Sequence, residues 1–131
     1  IFGGPGANTI GGTTTAARNV ISGNVDGIYI QDADGIMIQG NYIGTDVTGM
    51  VDLGNSDRGI QLESGANNNT IGGTAEGAGN VISGNPRFGI MLNTTKGNLI
   101  QGNYIGTDVT GSVDRGNGIV EFQGKNLTTG Y

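Results

Sequence analysis

Isoleucine recurs along the whole chain, at the centre of short apolar segments that are bounded by glycine or asparagine. Apolar and polar residues alternate within these segments with a period of two, which is typical of β-strands rather than helices. A strand of three to five residues cannot bury a face by itself. Stacked strands from successive coils would pair their backbone groups and build a continuous apolar column. The pattern therefore predicts a β-solenoid.

The sequence repeats itself after about 62 residues. NTIGGT at residues 8–13 returns at 69–74, NVISGN at 19–24 returns at 80–85, and QGNYIGTDVTG at 39–49 returns at 101–111. Periods of this length are typical of repeat architectures. We expect a single domain over residues 1–131, made of two units at about 8–68 and 69–131, and we expect it to be a fragment of a longer solenoid.

The apolar segments fall into three families that follow one another in strict rotation along the chain. This rotation predicts an all-β, right-handed parallel β-helix of about four coils, with three short strands in each coil. Three isoleucine columns would form its core. Their members are Ile10, Ile38, Ile71 and Ile100, with Leu127 as a fifth; Ile21, Ile43, Ile82 and Ile105; and Ile28, Ile60, Ile90 and Ile119.

Asparagine begins each segment of one family and would lie at one corner of every coil, at Asn19, Asn41, Asn80 and Asn103. Asparagine tolerates the left-handed conformation of a sharp corner, and stacked amides can bond along the axis. We therefore expect a structural asparagine ladder. The longer coils carry inserts at two alternating corners. We call residues 11–18 and 72–79 the short inserts, and residues 45–58 and 107–117 the hairpin inserts.

Composition and charge narrow the range of functions. The chain has 28 glycines, no cysteine, no histidine and a net charge of −5. Its six basic residues are scattered, which argues against nucleic acid as a partner. The absence of cysteine excludes disulfides and thiolate metal sites. No apolar run approaches the roughly 18 residues of a membrane-spanning helix, so we expect no membrane insertion.

Carboxylates supply the candidate chemistry. Asp32 and Asp34 are the candidate catalytic pair, since glycoside hydrolysis needs two carboxylates, although both also suit a solvated turn. We expect no resident cofactor, with calcium as the candidate if there is one. Aspartates recur at matching positions of the two hairpin inserts and could supply oxygen ligands, or could cap their own turns. They are Asp46, Asp52, Asp108 and Asp114.

Two tyrosines occupy equivalent positions in the repeat. Tyr42 and Tyr104 precede core isoleucines, so alternation should point both rings outward. Outward aromatic rings can bind sugars, but the equivalent residues Val20 and Val81 interrupt the row. A glycan site and a purely structural surface are both open at this point.

The motifs NTIGGT, NVISGN and QGNYIGTDVTG resemble those of bacterial secreted and surface proteins with right-handed parallel β-helix repeats. The resemblance covers nearly the whole chain, and it implies an extracellular or cell-surface location. It specifies a fold more than a function, since this architecture also hosts pectate lyases, polygalacturonases, phage tailspikes and adhesins. The catalytic signature of polygalacturonase-like enzymes includes a histidine, which this chain lacks.

We therefore expect a non-enzymatic structural or adhesive module of a large extracellular protein. Solenoids need caps because exposed strand edges pair with other chains, and neither terminus contains an amphipathic helix that could cover an edge. The chain is therefore expected either to self-associate by end-to-end stacking or to have been cut from a longer solenoid. The alternative is a carbohydrate-active module that binds or cleaves a polysaccharide.

Overall fold

The computed structural model of the chain describes residues 1–118, 121–123 and 128–130. In this part of the chain, β-strands are joined by turns, and the one helical element is a turn of 3-10 helix at Thr15–Ala17. Every pairing between these strands is parallel. The all-β parallel solenoid that the sequence predicts is confirmed.

Three parallel sheets run along the solenoid, and each takes one strand from every coil. Sheet A contains β1 (Phe2–Pro5), β4 (Asp26–Asp34), β7 (Arg58–Glu63), β10 (Phe88–Asn93) and β13 (Glu121–Gln123). Sheet B contains β2 (Thr9–Gly11), β5 (Met37–Gln39), β8 (Thr70–Gly72), β11 (Leu99–Gln101) and β14 (Thr128–Gly130). Sheet C contains β3 (Val20–Ile21), β6 (Tyr42–Ile43), β9 (Val81–Ile82) and β12 (Tyr104–Ile105).

The coil count differs slightly from the prediction of about four. From β1 to β10 the chain returns to sheet A three times, so residues 1–118 make about three turns. Residues 119–120 and 124–127, which precede β13 and β14 in the sequence, lie outside the described part. The prediction of about four coils included Ile119 and Leu127, which belong to this part of the chain.

Strand register aligns the isoleucine columns. Sheet B pairs Ile10, Ile38, Ile71 and Ile100 in succession, and sheet C does the same with Ile21, Ile43, Ile82 and Ile105. Sheet A pairs Ile28, Ile60 and Ile90. These columns are confirmed, whereas Ile119 and Leu127 fall outside the described residues.

The apolar core lies between the three sheets and is best protected in the middle coils. Ile43, Ile60 and Ile82 have no exposed surface, whereas Ile10 and Ile105 near the two ends are only partly buried. Complete burial of an isoleucine side chain contributes about 1.5–3 kcal/mol. Stability therefore depends on each coil having a neighbour on both sides.

The inserts lie at the two predicted corners, and they also stack on one another. Each hairpin insert is closed by an antiparallel bridge, between Thr45 and Asp52 in the first and between Thr107 and Asp114 in the second. Although the hairpin inserts are two coils apart in sequence, the Val109 N–H donates to the carbonyl oxygen of Gly49 at 3.0 Å. They therefore form an additional layer outside sheet C.

Glycine is required where coils meet at the corner between sheets B and C. Gly72 has a φ of +90°, and a Cβ placed on it would lie 2.0 Å from the carbonyl oxygen of Gln101 in the next coil. A side chain here would cause both backbone strain and a clash with backbone. The glycine in NTIGGT is therefore part of the coil-to-coil contact.

Candidate functional site

The asparagines at the corner between sheets B and C form a continuous chain of hydrogen bonds. The Nδ2 of Asn19 donates to the Oδ1 of Asn41 at 2.9 Å, Asn41 donates to Asn80 at 3.0 Å, and Asn80 donates to Asn103 at 2.8 Å. Asn41 and Asn80 have no exposed surface. Because the amides of Asn41, Asn80 and Asn103 also donate to a backbone carbonyl of the preceding coil, the ladder joins coils on both sides.

These asparagines form the expected amide ladder, but they do not supply the left-handed conformation that was also expected of them. None of the four has a positive φ, and the left-handed conformation falls on the glycine before Asn41 and Asn103, with φ of 66° at Gly40 and 67° at Gly102. The asparagines act through their amides. At this corner, glycine supplies the left-handed conformation and asparagine supplies the hydrogen bonds between coils.

A second asparagine ladder, which the sequence analysis missed, lies at the corner between sheets C and A. Its members are Asn24, Asn55, Asn85 and Asn117, and their amides donate in succession at 3.3, 2.9 and 2.9 Å. Asn69 and Asn98 form a shorter ladder at the third corner, where the backbone N–H of Asn69 donates to the Oδ1 of Asn98 at 2.8 Å. The signal for the second ladder was present, since each of its members follows a glycine.

The candidate catalytic carboxylates lie together at the corner between sheets A and B, where they line one open depression. Asp32 has a φ of 52°, and Ser64 and Thr94 at the equivalent position have 50° and 56°, so the left-handed residues belong to this corner. The Oδ1 of Asp34 accepts the backbone N–H of Asn67 at 2.8 Å. Asp34 therefore holds the next coil in place.

The aspartates of the hairpin inserts divide into two kinds. The Oδ1 of Asp46 accepts the Thr48 hydroxyl at 2.7 Å and the backbone N–H groups of Thr48, Met50 and Val51. The Thr48 hydroxyl, followed by these backbone groups, lowers the pKa of Asp46 against the opposing effect of desolvation. Asp46 is thus the cap of its own hairpin.

The second hairpin insert repeats this arrangement. The Oδ1 of Asp108 accepts the Thr110 hydroxyl at 2.6 Å, and this bond is the main cause of the lowered pKa of Asp108. Asp52 and Asp114 supply the bridging backbone instead. In the described part of the chain no group of three or more histidine, cysteine, aspartate or glutamate residues could hold a metal ion.

An ion-pair network crosses the first strands of sheet A. The Nη1 of Arg58 lies 2.8 Å from the Oδ2 of Asp57 and 3.2 Å from the Oδ1 of Asp26 in the preceding coil. Arg87 of the following coil lies 3.5 Å from Asp57. The network therefore links three successive coils.

The two tyrosines line a single open groove of about 600 Å³ outside sheet C. Both rings point away from the core as alternation predicts, but their exposure differs. Tyr42 is only 6% exposed because the guanidinium of Arg18 lies 4.1 Å above its ring and Gly49 of the first hairpin insert packs against its edge. Tyr104 is 45% exposed, although Gly111 of the second hairpin insert packs against its ring in the same way. The groove therefore presents one covered ring and one open ring.

Comparison with known families identifies this architecture. The family model described as "Periplasmic copper-binding protein (NosD)" matches residues 7–130. The chain belongs to the NosD family. No curated protein and no solved structure matches the chain significantly. Membership in this family agrees with the general type of β-helix repeat that the motifs indicate.

The NosD family is described as periplasmic, and this description is consistent with a location outside the cytoplasm. The structure adds one finding, which concerns the described residues alone. None of their helices is long and apolar enough to cross a membrane.

The description of the NosD family as copper-binding can be tested against the donor atoms of this chain. Copper prefers imidazole and sulfur ligands. The sequence has no histidine and no cysteine, and its three methionines lie apart in the fold. Met37 is on β5 of sheet B, Met91 is on β10 of sheet A, and Met50 is in the first hairpin insert. These residues do not fit a copper site.

Proposed function

We propose that this chain is a non-enzymatic structural module of a large extracytoplasmic protein, in which the solenoid serves as a stiff spacer or an adhesive segment. The observation that carries the proposal is the pair of long asparagine ladders, each of which links successive coils along the axis through four side chains. Buried networks whose members are all hydrogen-bonded rigidify a structure. A solenoid braced in this way resists bending and slippage between coils.

The roles of the carboxylates support a structural module. Asp46 and Asp108 cap hairpins, Asp34 holds the coil that follows it, and Asp57 pairs with Arg58. A lyase or hydrolase would need such groups free to reach a substrate. We extend the description of the family as periplasmic to a position at the cell surface.

The first coil supplies a surface for stacking. Phe2 is 71% exposed and Val20 is 43% exposed at the open edge. The amide oxygens of Asn19 and Asn24 accept no hydrogen bond from the described residues, so both ladders present acceptors at this end. A second copy with N–H groups at its last coil would extend the ladders, and repeated head-to-tail contacts of this kind build filaments.

Light scattering over a concentration series, combined with negative-stain imaging, tests the stacking. We expect rods that lengthen as the concentration rises. Val20→Lys should suppress this growth by placing a charge at the edge, whereas Val47→Lys on the first hairpin insert should not, although Val47 is 74% exposed. A monomer at every concentration would contradict the stacking.

The competing candidate function is cleavage of a polysaccharide. It is favoured by the depression that Asp32 and Asp34 share. Incubation with polygalacturonate, alginate and neutral glucans, followed by measurement of reducing ends and of the absorbance of unsaturated products, separates the two functions. Depolymerisation that disappears in Asp32→Asn and Asp34→Asn would overturn the non-enzymatic proposal.

A further inference from the structure

In the groove outside sheet C, the described residues expose an aromatic ring in the second unit that is covered at the equivalent position of the first. Arg18 of the first unit stacks on Tyr42, and the residue at the matching position of the second unit is Gly79. Because glycine has no side chain, no arginine of the described residues covers the ring of Tyr104 as Arg18 covers that of Tyr42. This difference between the two units produces an open ring face beside a fixed cation.

Arg18 is held so that part of its guanidinium is available. Its Nε donates to the carbonyl oxygen of Gly40 at 3.1 Å, and its Cζ lies 4.1 Å above the centre of the Tyr42 ring. Its two Nη groups have no acceptor among the described residues. Stacking on an aromatic ring fixes the plane of a guanidinium and leaves its N–H groups in a fork that matches a carboxylate.

The charge of the groove is unlike that of the chain as a whole. The chain has a net charge of −5, yet no aspartate or glutamate lines the groove, and Arg18 is its one ionised side chain. Gln101 adds an amide whose side chain makes no hydrogen bond within the described part of the structure. An anionic ligand would therefore meet a cation, an amide and an aromatic face without repulsion from a lining carboxylate.

The length of the groove along the solenoid axis favours an elongated ligand. Tyr42 and Tyr104 lie two coils apart in sheet C, with Val81 between them, and this corresponds to about 10 Å along the axis at the usual strand spacing. A short sugar chain along the groove could place one ring on Tyr104 while a carboxylate of another sugar meets Arg18. Sugar rings pack on aromatic faces because their C–H groups form an apolar surface.

From these observations we infer that the groove binds an acidic polysaccharide, with Arg18 holding a uronate carboxylate and Tyr104 supporting a sugar ring. Tyr42 is a positioning residue that acts through Arg18. The site is independent of the proposed structural role, since a spacer can be stiff whether or not it carries a ligand.

Calorimetric titration with short oligogalacturonates tests the inference on the chain as it stands. Arg18→Gln and Tyr104→Ala are each expected to weaken binding about tenfold, through loss of a charge-assisted hydrogen bond and of the stacking platform respectively. Two matched controls should change the affinity less than about twofold. Arg87→Gln removes another arginine that stacks on an aromatic ring, and Phe2→Ala removes another exposed aromatic side chain.

Circular dichroism of each variant checks that the fold is retained. The variant Tyr104→Phe keeps the aromatic ring, so it should bind oligogalacturonates as tightly as the parent chain. The inference is overturned if oligogalacturonates show no saturable binding at about 1 mM. It is equally overturned if Arg87→Gln weakens binding as much as Arg18→Gln. Neutral xylo-oligosaccharides that bind as tightly as the uronates, with no effect of Arg18→Gln, would also contradict an acidic ligand.

Discussion

At the scale of single residues, asparagine and glycine have separate tasks at each corner. Glycine supplies the positive φ and the close approach between coils, as at Gly72. Asparagine supplies both a donor and an acceptor, so one side chain can bond to the coil before it and the coil after it. Asn80 accepts two hydrogen bonds from Asn41 and donates to Ile38 and Asn103. No apolar residue of similar size could replace these contacts.

Replacement of Asn80 tests the energetic weight of the ladder. Asn80→Leu removes the acceptor of the buried Asn41 amide and backbone N–H and the amide donor to Ile38 and Asn103, and we expect a loss of roughly 3 kcal/mol or more in the free energy of unfolding. Asn19→Leu is the matched control, because Asn19 is exposed at the end of the ladder. Its cost should stay below about 1 kcal/mol in the same urea titration. Equal costs for the two variants would show that the ladder contributes little.

At the scale of elements, the hairpin inserts are self-supporting pieces attached to the coils. Each is closed by a bridge and capped by an aspartate that accepts a threonine hydroxyl and several backbone N–H groups. These bonds all go to Oδ1, and they account for the repeated aspartate as the cap of its own turn. The inserts then stack on each other through Gly49 and Val109.

The lowered pKa values of Asp46 and Asp108 give the hairpin inserts a dependence on pH. A carboxylate whose pKa is lower in the folded state contributes stability above the unfolded value of about 3.9, and the contribution disappears as the pH falls through the folded value. We therefore expect stability to fall below about pH 4. The fall should be shallower in the double variant Asp46→Asn/Asp108→Asn, because a neutral amide oxygen still accepts the hydrogen bonds.

Thermal unfolding measured between acidic and neutral pH gives the comparison. The control is Asp52→Asn/Asp114→Asn, which changes the same two hairpin inserts at side chains that make no hydrogen bond in the described structure. This control should show the same dependence of stability on pH as the parent chain. If both double variants showed the same profile, the caps would not be responsible for it.

At the scale of the whole molecule, membership in a family described as copper-binding does not decide what this chain binds. The fold repeats a scaffold, and each chain of the family supplies its own side chains to it. Here the scaffold presents amides, hydroxyls and a few carboxylates, without imidazole or thiolate. In the groove, Arg18 of the first unit is replaced by Gly79 in the second.

Copper binding is therefore expected to be weak. In competition with a chromogenic chelator for Cu(I), the chain should leave the metal with the chelator, because it offers dispersed thioethers as its soft ligands. A histidine-containing copper peptide at the same concentration serves as the positive control. Stoichiometric withdrawal of copper by the chain would contradict the mismatch between the donor set and the metal.

The sequence by itself determined the strands, the register of the isoleucine columns and the corners at which the inserts emerge. These features follow from local periodicity and from the repeat, since equivalent residues of stacked coils must face one another. The ladder at Asn19, Asn41, Asn80 and Asn103 could be anticipated for the same reason, while the second ladder was overlooked although its glycine–asparagine pairs were visible.

Only the tertiary structure decided what the outward residues contact. Alternation places Tyr42 and Tyr104 on the same face, but it cannot reveal that Arg18 covers one ring while Gly79 leaves the other open. Sequence also cannot show that the Oδ1 of Asp46 is already engaged by Thr48 and its neighbouring N–H groups. The physical reason is that periodicity fixes the direction of a side chain relative to the backbone, whereas its partners depend on how the inserts of different coils pack together.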